Sequence, residues 1–94
     1  MSEVLKALSD PTRREILFAL REQDLTAGEI ASRFEQTGAT ISHHLSVLRE
    51  SDLVRSRRNG TQLIYSASVT VLEDAIASLL ALIPVKSNET ESNS

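Results

Sequence analysis

The sequence predicts a mainly α-helical domain that carries one small β-hairpin, and three observations predict it. Hydrophobic residues fill 40% of the chain but aromatics only 3%. The core must then be built from Leu, Ile, Val and Ala, a set better suited to packed helices than to a sandwich or barrel of aromatic-rich strands. Helix-start signals recur with little linker between them. One stretch breaks that pattern: two short strand-like runs flank Asn59-Gly60, a pair favoured in two-residue hairpin loops. The 94 residues make one domain with a modest core. It is expected to run from residue 1 to 83, followed by a polar, disordered tail at 84–94.

The elements follow as four helices, two strands and a fifth helix. Val4, Leu5 and Leu8 make the apolar stripe of a short first helix that ends near Ser9. Asp10 is a good N-cap, with Pro11 at the first helical position, where a missing N–H costs nothing. The second helix turns Ile16, Leu17 and Leu20 inward and Arg13, Arg14 and Arg21 outward. Asp24-Leu25 reads as a connection. Thr26-Ala27-Gly28-Glu29 reads as a capping box opening the third helix, whose Ile30, Ala31 and Phe34 face the core. Gln36-Thr37-Gly38 reads as a glycine-containing turn, with Thr37 the cap of the fourth helix. Helix, short turn, helix is the helix-turn-helix layout. The fifth helix, from Val69 or Thr70 to Ile83, opens on Thr70-x-x-Glu73, a second capping-box pattern. Its apolar residues cover more than the ~100° stripe that a helix buries on one core, so the excess calls for a second subunit.

A helical wheel sorts the fourth helix. Ile41, Leu45 and Leu48 lie together with His44 at their edge; Ala39, His43, Ser46 and Glu50 lie opposite, flanked by Thr40 and Ser42. Small or hydrogen-bonding outward residues let a helix approach the floor of a DNA major groove. There Ser, Thr and His can meet base edges, and Ala a thymine methyl. With Asn59-Gly60 as a type I′ loop, Arg58 pairs with Thr61, Ser56 with Leu63 and Val54 with Tyr65. Val54, Leu63 and Tyr65 then share the core face, while Arg55, Arg57, Gln62 and Ile64 face the other way and Arg58 sits at the tip. Three arginines on an exposed edge suit a phosphate backbone. These features point to a winged helix-turn-helix DNA binder. Its candidate DNA contacts are Thr37, Ala39, Thr40, Ser42, His43, Ser46, Arg49, Arg55, Arg57 and Arg58. The plainer alternatives are a solvated His43 and edge charges that only deter strand pairing. A reading helix immediately upstream of the arginines favours contact. His44, beside the apolar stripe, reads as a packed structural histidine.

Charge distribution agrees. The chain carries −3 overall, yet from Thr37 to Gln62 Arg49, Arg55, Arg57 and Arg58 face only Glu50 and Asp52, a local +2. A locally basic segment on an acidic chain fits contact with DNA through one face. Other classes are disfavoured. No cysteine is present, which excludes disulfides and thiolate metal sites in this chain. The start, MSEVLKALSD, lacks the pattern of a signal peptide, and Ala75 to Val85 is too short for a membrane span, so a cytosolic protein is expected. Ser42-His43-His44 does not make a catalytic set, because adjacent helix residues point ~100° apart and no orienting acid lies nearby in sequence. No enzymatic activity and no cofactor are expected.

The segments ALSDPTRREIL, LTAGEIASRF, ISHHLSVLRESDLV and RRNGTQLIYS together resemble the ArsR family of bacterial winged-helix repressors, in order and spacing, from Val4 to Ile83. Within it, SDPTRR, LTAGEIA and SHHLSVL look most similar to an autorepressor subgroup tied to sporulation delay. The resemblance implies a homodimer formed by the first and fifth helices, through Val4, Leu5, Leu8, Leu72, Ile76, Leu79, Leu80 and Ile83. It also implies a fourth helix in the major groove and a hairpin wing on phosphate or minor groove. Many members sense metals, and here the chain departs from them. The stretch matching the cysteine site, Asp24 to Ile30, holds none, and no histidine follows Glu73 and Asp74 in the last helix. The expected function is a repressor on a palindromic promoter operator, possessing no metal sensor; a partner protein, a small molecule and simple autoregulatory titration all stay open as what relieves binding. A winged-helix module that binds another protein is the alternative.

Overall fold

The computed structural model describes residues 2–84. Its elements are α1 (Ser2–Leu8), α2 (Pro11–Glu22), β1 (Leu25–Thr26), α3 (Ala27–Phe34), α4 (Gly38–Glu50), β2 (Val54–Asn59), β3 (Gln62–Ala67) and α5 (Val69–Leu80). The expected tail at 84–94 falls, from residue 85 on, outside the described residues. Local chemistry sets the helix starts. Asp10 accepts from the Arg13 backbone N–H at 3.0 Å with Pro11 behind it. The Thr26–Glu29 capping box closes in both directions, at 3.1 and 2.8 Å.

One core joins the helices to the sheet. Ile16, Leu17 and Leu20 of α2, Ile30 of α3, and Ile41, Leu45 and Leu48 of α4 are buried together with Leu53, Val54 and Tyr65, as their spacing predicts for the helices. Ala7, the buried residue of α1, is too small to stand out in a hydrophobic pattern.

Several expectations are corrected. The connection at Asp24-Leu25 is in part a strand: Leu25-Thr26 pairs antiparallel with Tyr65 and Ile64, making a three-stranded sheet in the order β1-β3-β2. Two residues are too few to show alternation, so the strand is set by its partner and by burial of Leu25. The hairpin loop is Gly60-Thr61, not Asn59-Gly60. Asn59 pairs with Gln62, Arg58 with Leu63, Ser56 with Tyr65 and Val54 with Ala67. Gly60 is left-handed at φ +66°, at the first loop position, the place a type II′ loop gives to glycine. This register differs by two residues from the expected one, which preserves the faces because side chains alternate with period two. Leu63, expected in the core, lies beyond it opposite Arg58 and is exposed.

In α5 the start at Val69 is one of the two expected, but the cap and the far end differ. α5 starts at Val69 behind Ser68, so Thr70 is already helical and its capping box with Glu73 does not form. Ser68 is held instead through its backbone N–H, which donates to the Leu53 carbonyl at 2.8 Å. α5 stops at Leu80, and residues 81–83 form a tight turn in which Leu82 and Ile83 N–H groups donate to Leu79 and Leu80 carbonyls. In α2, Arg13 is buried rather than outward.

Candidate nucleic-acid interface

Thr37 starts the α4 helix, its Oγ1 accepting from the Thr40 N–H at 3.2 Å and donating to the Thr40 hydroxyl at 2.9 Å. The turn before it is Glu35-Gln36-Thr37. Gly38, expected in the turn, is the first helical residue, and the left-handed residue of the turn is Glu35, φ 53°. At the far end the Leu53 N–H donates to the Leu48 carbonyl and the Asp52 N–H to the Arg49 carbonyl. With Asp52 left-handed at φ 62°, this is a Schellman closure, and it drops Leu53 fully into the core. Both ends of the helix are therefore fixed.

The two faces of α4 separate cleanly. Ile41, Leu45 and Leu48 are buried, while Ala39, Thr40, Ser42, His43, Ser46 and Arg49 are exposed, as is Thr37 at the cap. His44 sits between the faces, half-buried. Its ring centroid lies 5.9 Å from that of His43, and its Nδ1 lies 3.1 Å from Arg13 Nη1. Arg13 also donates from Nε to the Ala7 carbonyl at 2.8 Å and from Nη2 to the Lys6 carbonyl at 3.0 Å. Arg14 Nη1 donates to the Leu8 carbonyl at 2.8 Å. These are carbonyls of the last turn of α1, which have no partners within the helix. Two arginines that sequence reasoning turned outward thus close the end of α1, and Arg13 ties that end to α4. The clue was available: Asp10-Pro11 starts α2 two residues after α1 stops, so side chains of the first turn of α2 lie next to those carbonyls. Desolvation lowers the His44 pKa below 6.5, against a smaller upward pull from Asp10.

The wing places Arg55, Arg57 and Arg58 on β2, all exposed. By register Arg55 and Arg57 share one face, and Arg58 lies on the other beyond the core. Arg57 Nη1 pairs with Asp24 Oδ2 at 3.0 Å, an interaction that a sequence separation of 33 residues conceals.

On α5 only Ala75 is buried. Leu5, Ile76, Leu80, Leu82 and Ile83 are exposed, and Val4, Leu8, Leu72 and Leu79 are half-buried. Of the residues expected at a dimer face, Val4, Leu8 and Leu72 pack partly against the core, while Leu5, Ile76, Leu80 and Ile83 form an open apolar surface on α1, α5 and the turn after it. Beside it an apolar groove of about 340 Å³ runs between α2 and α5, past Leu17, Phe18, Leu72 and Ile76. Phe18 is exposed, with the Arg21 guanidinium 4.7 Å above its ring. Among the described residues no helix is long and apolar enough to cross a membrane, and no three His, Cys, Asp or Glu side chains come together as metal ligands.

Known proteins share this arrangement. The family model for bacterial regulatory proteins of the arsR family matches residues 10–56. The transcriptional repressor SdpR of Bacillus subtilis is 43% identical over 95% of this chain and 99% of its own length. An ArsR-like transcriptional regulator from Rhodococcus sp. RHA1 superposes with a TM-score of 0.81 at 33% identity, over 86% of this chain and 74% of its own. The homodimeric winged helix-turn-helix DNA-binding domain of a possible ArsR-family regulator from Mycobacterium bovis has a TM-score of 0.73 at 29% identity, over 85% of this chain and 76% of its own.

Proposed function

The chain belongs to the ArsR family of bacterial regulatory proteins, and from that premise we propose that it is a homodimeric repressor which occupies a palindromic promoter operator, often its own. It is a transcriptional regulator and not an enzyme. The observation that carries the DNA-reading role is the division of α4: one face wholly buried, the other a row of small and hydrogen-bonding side chains fixed at both ends. A rigid helix with that outer face can lie deep in a major groove. Ala39, Thr40, Ser42, His43 and Ser46 are assigned to bases. Thr37 and Arg49 at the helix ends, with Arg55, Arg57 and Arg58 on the wing, are assigned to phosphate. The homodimer is supported by the open apolar surface of α1 and α5 and by the homodimeric M. bovis domain. Two-fold pairing would set two reading helices one DNA turn, ~34 Å, apart. The repressor assignment is supported by the B. subtilis relative. The protein is assigned to the cytosol, and its release to a partner protein or small molecule.

Fluorescence anisotropy with the chain's own upstream DNA and a scrambled copy, at two salt concentrations, tests the reading. A preference of ~10³ or more, falling in affinity as salt rises, is the expected result. No binding to either duplex at low salt would overturn it.

A further inference from the structure

The Asp24–Arg57 pair crosses the sheet. Arg57 on β2 is registered with Ile64 on β3, and Ile64 with Thr26 on β1. Those three positions share one face, and Asp24 lies just before β1. The edges β2 and β1 lie about two strand spacings, ~10 Å, apart, so for the 3.0 Å contact the Arg57 side chain turns back over β3 while the Asp24 carboxylate reaches toward it from the opposite edge. β2 is an outer strand of the sheet and the hairpin tip is its far end, so this direction leads away from the rim that a DNA backbone meets. Among the described residues Arg55 and Arg58 have no ion-pair partner, so Arg57 is the wing arginine already bound to an anion. The pair is exposed on both sides, which makes it exchangeable rather than a fixed part of the fold.

We propose that Asp24 is an affinity-setting residue: its carboxylate stands in for a DNA phosphate, holding Arg57 in the free protein and yielding it when DNA binds. This rests on the wing contacting phosphate, and it adds a residue that lowers affinity rather than raising it. Asp24 acts through Arg57. It makes every duplex, specific or not, compete with an internal anion, so operator affinity is kept below what three free wing arginines would give.

A double-mutant cycle on a mixed-sequence DNA duplex at low salt reads this without knowledge of the operator. Asp24→Asn should bind about two- to fivefold more tightly than wild type, the scale of an exposed ion pair. In an Arg57→Gln background the same substitution should change affinity far less, because the cation it releases is gone. Equal or weaker binding by Asp24→Asn would overturn the proposal, showing that the pair either does nothing or positions Arg57 for DNA. So would an undiminished gain in the Arg57→Gln background, which would make the effect one of bulk charge. If wild type and every variant fail to bind the duplex, the DNA-binding reading itself falls, and with it this inference. All four proteins differ only at exposed residues, so circular dichroism should show the same fold in each.

Discussion

Arg13 Nη1 lies 3.1 Å from His44 Nδ1, and the chemistry of the two groups decides which donates. A guanidinium has no acceptor, so Nδ1 accepts, and His44 must be neutral with its proton on Nε2. Protonating Nδ1 would abolish the bond and set two cations against each other. Burial holds the His44 pKa below 6.5; Asp10 pulls it up, and Arg13 and His43 push it further down. A depressed folded-state pKa gives stability that is present above 6.5 and lost as the pH falls through the folded-state value. Asp10, held below 3.8 chiefly by the Arg13 backbone N–H, follows the same sign at lower pH. Thermal midpoints should therefore fall between pH 7 and about 5 more steeply in wild type than in His44→Asn, whose amide oxygen can accept from Arg13 at any pH. Parallel profiles would remove His44 from the acid response.

Replacing Arg13 should cost more than any other arginine in the chain. Arg13→Ala leaves the Ala7 carbonyl and His44 Nδ1 without this donor, in a place where Arg13 is itself buried, while the Lys6 carbonyl keeps the Ser9 hydroxyl at 2.7 Å. The expected loss is about 2–4 kcal/mol of unfolding free energy, from unmet polar groups and lost packing. Arg13→Lys supplies one ammonium in place of a planar fork and should recover only part of it. Urea midpoints at constant m-value measure both. A loss under about 0.5 kcal/mol for the alanine variant would mean that water replaces the guanidinium.

Much of this architecture was legible because it is written locally. The Asp10-Pro11 start, the Thr26–Glu29 box and the Thr37 cap each depend on residues within four positions, and the α4 wheel sorts itself by spacing. What escaped depends on contacts between distant segments or on competition between local signals. Arg13 looks like a surface residue until the end of α1 is placed beside it. Thr70–Glu73 has the pattern of a capping box, but Ser68, anchored to Leu53, takes the cap position and leaves Thr70 inside the helix. Asn59-Gly60 is a strong loop signal, yet burial of Val54 and Tyr65 is equally satisfied by a two-residue shift, and Gly60 takes the first loop position. At the candidate site, the exposed row on α4 could be read from periodicity, whereas the Asp24 partner of Arg57 could not.

Two substitutions separate reading from anchoring. His43 projects from the middle of the exposed row on α4, so His43→Ala should change the order of preference among operator variants, with about 1–3 kcal/mol less discrimination at one base pair. Arg58→Gln removes a wing cation that has no ion-pair partner among the described residues. It should weaken binding to all duplexes alike and reduce the salt slope by about one. Competition binding against a panel of single-base operator variants, repeated across a salt series, measures both quantities. If His43→Ala leaves the order of preference intact, that histidine is a solvated residue and the reading falls to Thr40, Ser42 and Ser46.

The apolar surface on α1 and α5 makes the last prediction. Ile76 and Leu80 are exposed on α5, so a charge there leaves the monomer core intact while placing an unpaired carboxylate in any interface that covers them. Ile76→Glu and Leu80→Glu should each convert a dimer to a folded monomer in sedimentation, with the far-ultraviolet dichroism unchanged. Operator affinity should then fall by about 10²-fold or more, because the second half-site is no longer held near the first. Binding to a duplex that carries only one half-site should change much less. That contrast matters: loss on both duplexes alike would indicate damage to α4 rather than to pairing. A dimer that survives both substitutions would move the interface off α5, and Leu5→Glu on α1 would then locate it.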